Sequence, residues 1–337
     1  MQPTPCPNLR VVWVAVNRAL HPRIIDMVQM TTVYLDHNIV DGFDKGETAY
    51  LGPLFANKGC LPIISVASVD EIFRGGDESR SIRNIETLKK LGVRYIHSGS
   101  DDSIMLISEL DYENMHQKWV DMQAAIGPLN AAHFLFINTL FRGNEPEAIQ
   151  DMEQAVCAQI SWIKSNYDRF PNFQTEMDQI LGNPERYREL CGQLIYLKKL
   201  LPFTSKEINN IPGNAVFWTC IGLLKYAADA NLQRIGNHIG NAIKNAKTID
   251  DQLEIVFFWL NLFGYYPDDL TRIERVKSNF TDAKHATYGI ACDAILTLDK
   301  RFAKRVAAAI GALELKTDVS TDANELLHRI AEKSGFR

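Results

Sequence analysis

Two kinds of hydrophobic pattern alternate along this chain. Short continuous runs of apolar and β-branched residues are typical of buried strands in a parallel sheet. Such runs predict strands over residues 32–36, 61–66, 93–96, 294–298 and 313–317. Stretches with helical spacing separate them, and a last helix is expected over 321–331. Because strands that alternate with helices pair in parallel through right-handed crossovers, the sequence predicts an α/β fold.

The long middle of the chain shows helical spacing alone. Leu253, Val256 and Leu260 repeat at helical intervals, and Pro or Gly breaks separate successive segments. We therefore expect residues 103–278 to form an all-helical insertion or subdomain that contributes no strand to the sheet. Residues 30–102 and 279–337 would then be the two parts of the α/β domain that this insertion interrupts.

Residues 1–29 carry no periodic pattern and contain prolines at positions 3, 5, 7 and 22. The first convincing strand begins directly after Met30. We interpret this segment as an N-terminal extension that is a candidate for disorder, with Met30 a candidate for the true start.

Composition and charge narrow the class of protein. With 46% hydrophobic and 23% charged residues, the 337-residue chain is typical of a soluble globular protein. The net charge of −5 excludes a broadly basic protein, so contacts with nucleic acid would need a local patch. Six cysteines without a Cys-x-x-Cys pair indicate reduced thiols. No apolar run reaches the roughly 18 residues of a membrane helix, so we expect a cytoplasmic protein without membrane contact.

Four acidic residues accompany the predicted strands. Asp36 ends the first strand, Glu71 follows the second, and Asp299 follows the fourth. Asp282 is expected in the first turn of a short helix that begins near residue 281 and leads into the fourth strand. If the first strand lies between the second and the fourth, all four carboxylates meet at one edge of the sheet.

Such a cluster of carboxylates requires neutralisation. Like charges raise one another's pKa values unless a cation compensates them, and ligand sets made of oxygen alone favour Mg²⁺ or Mn²⁺ over zinc. Simpler roles are open for two of the acids. Asp36 could cap the next helix, and Glu71 could belong to a capping box.

Three segments resemble the PIN-domain family of metal-dependent nucleases. They are VYLDHN at 33–38, ISVASVDEI at 64–72, and DAKHA at 282–286 continuing into CDAILTLDKRF at 292–302. The third segment, in which an acid, a helix and Thr-x-Asp follow one another, is the most specific. The resemblance leaves the helical middle uncovered, and it implies a PIN-like three-layer fold with a parallel central sheet.

The resemblance also implies roles for individual residues. The catalytic metal ligands would be Asp36, Glu71, Asp282 and Asp299. Asn38 and Thr297 would support the ligands or orient water. Two further residues are candidates for supporting roles: His285 could hydrogen-bond to Asp282 or simply pack, and Asp293 could be a fifth ligand or only an acid at a helix end. Basic residues that follow the last ligand are candidates for phosphate contacts, or form a solvated helix face: Lys300, Arg301, Lys304 and Arg305.

Two features depart from the family pattern. About 210 residues separate Glu71 from Asp282, where family members have a short helical pair. His37 stands where a small hydroxyl residue is common.

The function that the resemblance implies is hydrolysis of phosphodiester bonds by a Mg²⁺- or Mn²⁺-dependent nuclease. RNA is favoured over single-stranded DNA as the substrate, and the helical insertion could bind a protein partner or a second copy of the chain. Two alternatives stay open. One is a catalytically inactive PIN-like module that binds nucleic acid or protein. The other is a different Mg²⁺-dependent phosphohydrolase, although Asp36-His37-Asn38 lacks the second acid that a haloacid dehalogenase type of site requires.

Overall fold

The structure is a computed structural model that describes residues 30–98, 105–142 and 199–333, together with isolated helical positions between 147 and 197. The expected N-terminal extension, residues 1–29, lies outside the described residues, as does most of the central stretch between 143 and 198. In the part of the chain that is described, no helix combines the length and the apolar character that a membrane span requires.

The secondary structure is mixed, with strands at both ends of the described chain. The strands are β1 Thr31–Leu35, β2 Cys60–Ser65, β3 Arg94–Ser98, β4 Met105–Glu109, β5 Ala294–Leu296 and β6 Asp318–Ser320. The helices before the middle of the chain are α1 His37–Asp44, α2 Leu51–Lys58, α3 Val66–Arg74, α4 Glu78–Leu91 and α5 Met115–Arg142. Those after it are α6 Ser205–Asn209, α7 Gly213–Lys225, α8 Ala230–Asn245, α9 Ile249–Phe263, α10 Ile273–Gly289, α11 Lys300–Ala312 and α12 Ala323–Lys333.

The six strands form one sheet in the order β4-β3-β2-β1-β5-β6. All neighbours are parallel except β3 and β4. β1 pairs with β2 on one side and with β5 on the other, with Tyr34 opposite Ile63 and Ile295. The prediction that the strand after position 294 returns beside the first strand is therefore confirmed, and so is the mixed α/β class.

Two hydrophobic cores cover the two faces of the sheet. Along β1, Val33 and Leu35 belong to one core, whereas Tyr34 belongs to the other. This alternation is the period of two that a strand imposes on its side chains. The core around Tyr34 includes buried side chains of α7, α9 and α11, and the opposite core includes those of α1, α2 and α12. Helices α7, α9 and α11 thus pack on the face of the sheet to which Tyr34 points, whereas α12 packs on the other face.

The expectation of helices alone between 103 and 278 is wrong at its start. β4 is a strand in this range and pairs antiparallel with β3. Its sequence, Met-Leu-Ile-Ser-Glu, has the apolar and β-branched character of a strand, and it forms one edge of the sheet. The residues that follow β4 have helical spacing, so this short strand could not be distinguished from them in the sequence.

Two further boundaries differ from prediction. α10 begins at Ile273, because no proline or glycine interrupts the chain from there to Tyr288, and Asp282 therefore lies inside a long helix. The last strand is 318–320 and not 313–317, because Leu313 closes α11 and Glu314 has a φ of 55°. Thr317 donates instead from its hydroxyl to the Ile290 carbonyl, at 2.9 Å.

Close packing between α7 and α11 generates a stability prediction. A Cβ at Gly311 would lie 2.3 Å from the Cα of Asn214, whereas a Cβ at Gly222 would meet no atom within 4 Å. We expect Gly311→Ala to lower the free energy of unfolding by about 1–3 kcal/mol through overpacking. Gly222→Ala should raise it by about 0.5–1 kcal/mol through helix propensity. Urea unfolding of both variants checks this, and a neutral Gly311→Ala would mean that the two helices cross at a greater distance.

Candidate functional site

The candidate site lies at the carboxyl ends of three neighbouring parallel strands. Asp36 follows β1 directly, Glu71 lies on the helix that follows β2, and Thr297 follows β5 directly. The Asp36 amide donates to the Leu296 carbonyl at 3.1 Å, which extends the pairing of β1 and β5 to this point. The sheet therefore brings two of the predicted acids to the same edge, as an open α/β sheet does at its ligand sites.

Asp36 is buried and fixed by hydrogen bonds to both carboxylate oxygens. Its Oδ1 accepts from the His37 amide at 2.8 Å, so Asp36 is the N-cap of α1. Its Oδ2 accepts from Thr297 Oγ1 and from Asn38 Nδ2, both at 2.6 Å. Asn38 also accepts at Oδ1 from the Leu298 amide at 2.7 Å. Asn38 and Thr297 thus contact the first acid, at the positions expected of supporting residues.

His285 joins the two acids. Its Nε2 lies 3.0 Å from Glu71 Oε2 and 3.8 Å from Asp36 Oδ1. Its Nδ1 lies 2.7 Å from the Tyr34 hydroxyl, which in turn lies 2.7 Å from Ser65 Oγ. Since the His285 side chain is only 1% exposed, protein groups surround it on every side.

The charges of the three groups are strongly coupled. Burial lowers the pKa of His285, but the hydrogen bond to Glu71 and the charges of Glu71, Asp36 and Asp282 outweigh it and raise this pKa to about 9. Burial and the charge of Glu71 raise the pKa of Asp36, although His285 opposes them. Burial also acts to raise the pKa of Glu71, but the hydrogen bond and charge of His285 outweigh it and lower this pKa. In this structure an imidazolium therefore compensates the two carboxylates.

The same three residues form a possible set of metal ligands. One ligand atom from each of Asp36, Glu71 and His285 lies within 4.8 Å of the other two. Two carboxylates and an imidazole are chemically suited to a divalent cation, and Asn38 and Thr297 already hold one carboxylate in place. The set differs from the expected one in that it contains two of the four acids and adds the imidazole of His285.

Asp282 has other partners. It lies in the interior of α10, three residues before His285, and forms an ion pair with Arg305 of α11. Arg305 is almost fully buried and also binds Asp268 Oδ2 at 2.5 Å. Burial, together with the charges of Asp36 and Asp268, raises the pKa of Asp282, and Arg305 opposes this. The expected position of Asp282 in a first helical turn is wrong, and its carboxylate is not among the clustered ligand atoms of the described residues.

Asp299 is exposed and caps α11. Its Oδ1 accepts from the amides of Arg301 at 2.7 Å and Phe302 at 3.0 Å. The Asp299 amide donates to Thr297 Oγ1 at 3.0 Å, which places the residue beside the site through its backbone. Its carboxylate is used as a helix cap in this structure.

Asp293 lies at the opposite edge of the sheet. It precedes β5, and its Oδ2 accepts from the amide and the hydroxyl of Thr32, at 2.8 and 2.9 Å. Because β5 runs parallel to β1, the length of the strand separates Asp293 from Asp36. The interpretation of Asp293 as a supporting residue of the site is therefore wrong.

The basic residues after Asp299 are only partly available. Arg305 is buried in its ion pairs with Asp268 and Asp282, so the expectation that it contacts phosphate is wrong. Arg301 is about half exposed and binds Asp268 Oδ1 at 3.0 Å. Lys300 and Lys304 are exposed on α11.

Other residues of the site could not be recognised as part of it from the sequence. Tyr34 and Ser65 sit in strands whose apolar character hides their hydroxyl groups. His37, identified only as a departure from the family pattern, lies 3.0 Å from Arg80 Nη2 through its Nε2. Only the alternation of β1 could have indicated that Tyr34 shares a face with buried polar groups.

Comparisons of this chain with protein-family models, with curated proteins and with solved structures found no match.

The raised pKa of His285 generates a prediction for the metal-free protein. A histidine near 6.5 when unfolded and about 9 when folded adds stability that is complete below pH ~6.5 and is lost as pH rises through 9. In EDTA, the free energy of unfolding should fall by about 2–4 kcal/mol from this group between pH ~6.5 and ~9.5. Urea unfolding of the parent and of His285→Gln measures the difference in slope.

The exposed His238 on α8 provides a matched control, and His238→Gln should keep the slope of the parent. Equal slopes in the parent and in His285→Gln would show that Glu71 and Asp36 do not hold a proton on His285. An NMR titration of His285 in the parent gives the same answer without a variant.

Proposed function

We propose that this protein is a divalent-cation-dependent nuclease that hydrolyses phosphodiester bonds, with RNA as the favoured substrate. One observation carries the proposal: Asp36, Glu71 and His285 place their ligand atoms within 4.8 Å at the carboxyl edge of a parallel sheet. Clustered carboxylates at this edge suit a cation, and a cation suits reactions at phosphate because they need charge neutralisation more than covalent chemistry.

The resemblance to the PIN-domain family supports the same reaction. The segments that carry it include Asp36, Glu71 and Thr297, and all three lie at this edge of the sheet. We propose that the α/β fold is PIN-like, with the helices of the middle of the chain as an addition to it. Those helices offer a surface for a protein partner or a second copy, and we propose a cytoplasmic location.

We propose Mg²⁺ or Mn²⁺ as the cation, with Asp36 and Glu71 as ligands and His285 as the third donor. When bound, the ion would activate a water molecule and stabilise the charge that develops on the phosphate and leaving oxygens. The imidazole makes this ligand set softer than carboxylates alone, which favours Mn²⁺ over Mg²⁺.

The chain's own residues orient this set. Asn38 and Thr297 donate to Oδ2 of Asp36 and leave the carboxylate one fixed orientation. Tyr34 holds the imidazole of His285 at Nδ1, so that Nε2 faces the two acids. Glu71, with 27% of its side chain exposed, is the most accessible of the three and faces an incoming substrate. Such outer contacts commonly matter almost as much as the ligands themselves.

The roles of Asp282 and Asp299 as further ligands stay predictions. Asp282 would have to leave Arg305, and Asp299 would have to leave the N-terminus of α11. Asp299→Asn distinguishes a ligand from a helix cap, because asparagine caps a helix as well as aspartate does.

The first test is cleavage. Labelled RNA and single-stranded DNA are incubated with Mn²⁺, Mg²⁺ or EDTA, and we expect cation-dependent cleavage that EDTA abolishes. Glu71→Gln should lower the rate at least ~100-fold, because loss of a ligand charge removes much of the cation. Glu86→Gln, the same chemical change at an exposed position of α4, should cleave at the parent rate.

The second test needs no activity. If the free ion is at ~10–100 times its dissociation constant, Mn²⁺ should raise the free energy of unfolding by about 1–3 kcal/mol. Glu71→Gln should gain much less, and Glu86→Gln should gain as much as the parent. An equal gain in all three proteins would place the cation elsewhere.

A second candidate function is a non-catalytic PIN-like module. The observation that favours it is the compensation of Asp36 and Glu71 by His285, which satisfies the acids without a cation. Absence of both cleavage and Mn²⁺-dependent stabilisation would select this candidate over the nuclease.

A further inference from the structure

Two arginines lie on the helices that follow β2, close in the chain to Glu71. Arg74 lies one helical turn after Glu71 on α3, and Arg80 lies in the first turn of α4. Arg74 directly precedes Gly75, and a Cβ at Gly75 would lie 3.7 Å from Arg80 Nη1. Both guanidinium groups therefore lie near the carboxyl end of α3.

Arg74 continues the contact between α3 and α10. Glu71 binds His285 of α10, and one turn farther along, Arg74 Nη2 donates to Thr281 Oγ1 at 2.9 Å. Thr281 is in turn four residues before His285. The two contacts are parallel crosslinks between the same helices, separated by one turn, or about 5 Å along the axis. The contact that Arg74 makes thus lies one helical turn from the contact that Glu71 makes.

Arg80 occupies a corresponding place beside α1. Its Nε and Nη2 bind the two carboxylate oxygens of Asp41, at 3.3 and 2.5 Å. Its Nη2 also lies 3.0 Å from Nε2 of His37, the residue that follows Asp36. This fork holds the guanidinium in one orientation, against the helix that Asp36 caps.

Arg74 forms an ion pair with Asp70, as Arg80 does with Asp41, and in both pairs the arginine is the partner that faces solvent. Each arginine side chain is 39% exposed, against 19% for Asp70 and 23% for Asp41. The acids are also satisfied by neutral donors, since Asp70 accepts from Trp119 and Gln123, and Asp41 from Asn84.

Donor groups remain on both guanidinium groups. Across the described residues, Nη1 of Arg80 and both Nη1 and Nε of Arg74 make no hydrogen bond. A guanidinium that is held by one partner and keeps a free, charged Nη1 is suited to donate a hydrogen bond to a phosphate oxygen.

We propose that Arg74 and Arg80 bind backbone phosphates that flank the scissile one, so that the substrate is a strand of several nucleotides. This inference rests on the proposed function and deepens it by naming the length and kind of substrate. A dinucleoside monophosphate, which has no flanking phosphate, gains nothing from either arginine.

The experiment compares Arg74→Gln and Arg80→Gln with Arg234→Gln, a matched control at an exposed position of α8. Cleavage of a single-stranded RNA of about 12 nucleotides and of a dinucleoside monophosphate is measured in Mn²⁺. Each of the two variants should raise KM for the longer RNA about 5- to 20-fold with little change in kcat, and leave the dinucleotide unaffected. Loss of one phosphate contact should also reduce the salt dependence of log(kcat/KM) by about 0.7.

A binding measurement in EDTA provides a readout without cleavage. Fluorescence anisotropy of the labelled RNA should show the same loss of affinity in Arg74→Gln and Arg80→Gln, and none in Arg234→Gln. Arg80→Lys, which keeps the charge but loses the fork on Asp41, should be intermediate. If Arg80→Gln does not fold, Arg80→Lys takes its place in the comparison.

The outcomes separate this inference from the proposed function. If the parent cleaves RNA but Arg74→Gln and Arg80→Gln behave like the control on the longer RNA, the inference is wrong and the nuclease stands. If they impair cleavage of the dinucleotide equally, the arginines act on the scissile phosphate or on folding, and the inference is again wrong. If the parent cleaves no nucleic acid with any cation, the proposed function fails and the inference fails with it.

Discussion

The site depends on one constraint, which is that two carboxylates of like charge, the buried Asp36 and the partly buried Glu71, must share an edge of the sheet. His285 resolves it in this structure by lying within 3.0 Å of Glu71 and 3.8 Å of Asp36. The position of His285 depends in turn on α10, whose uninterrupted run from Ile273 carries it beneath β1. The charge balance of the site therefore depends both on the strand order of the sheet and on the length of α10.

The helices of the middle of the chain contribute to this balance. Asp268, in the segment before α10, shares Arg305 with Asp282. From α5, Trp119 and Gln123 donate to Asp70 at 3.0 and 2.8 Å, and Asp70 is paired with Arg74. Polar contacts thus connect the middle of the chain to residues that lie next to the acids. The middle of the chain therefore contributes to the electrostatics of the site.

How much of this arrangement could be predicted from the sequence depends on how far apart in the chain the interacting residues lie. Strand runs and the residues that end them are local patterns, so the placement of Asp36 and Glu71 after their strands could be predicted. The return of β5 beside β1 joins distant segments and followed from the strand order expected of an α/β sheet. The ion pairs of Arg305 join residues 23 and 37 positions apart, and no local pattern indicates them. The sequence therefore places Asp282 in the acidic cluster and gives no sign of its partner Arg305. The brevity of β4 hid a strand in helical surroundings, and the apolar character of β1 hid the phenol of Tyr34.

The alternation of β1 has a consequence for folding. Tyr34 faces His285 because its neighbours Val33 and Leu35 face the opposite core. A slip of one residue in the pairing of β1 would reverse these faces and place an aliphatic side chain against the imidazole. The misregistered chain would then bury a phenol and a histidine nitrogen without partners, at a cost of about 1–3 kcal/mol for each unsatisfied group. The hydrogen bond between Tyr34 and His285 thus orients the imidazole in the site and also disfavours the slipped register of β1.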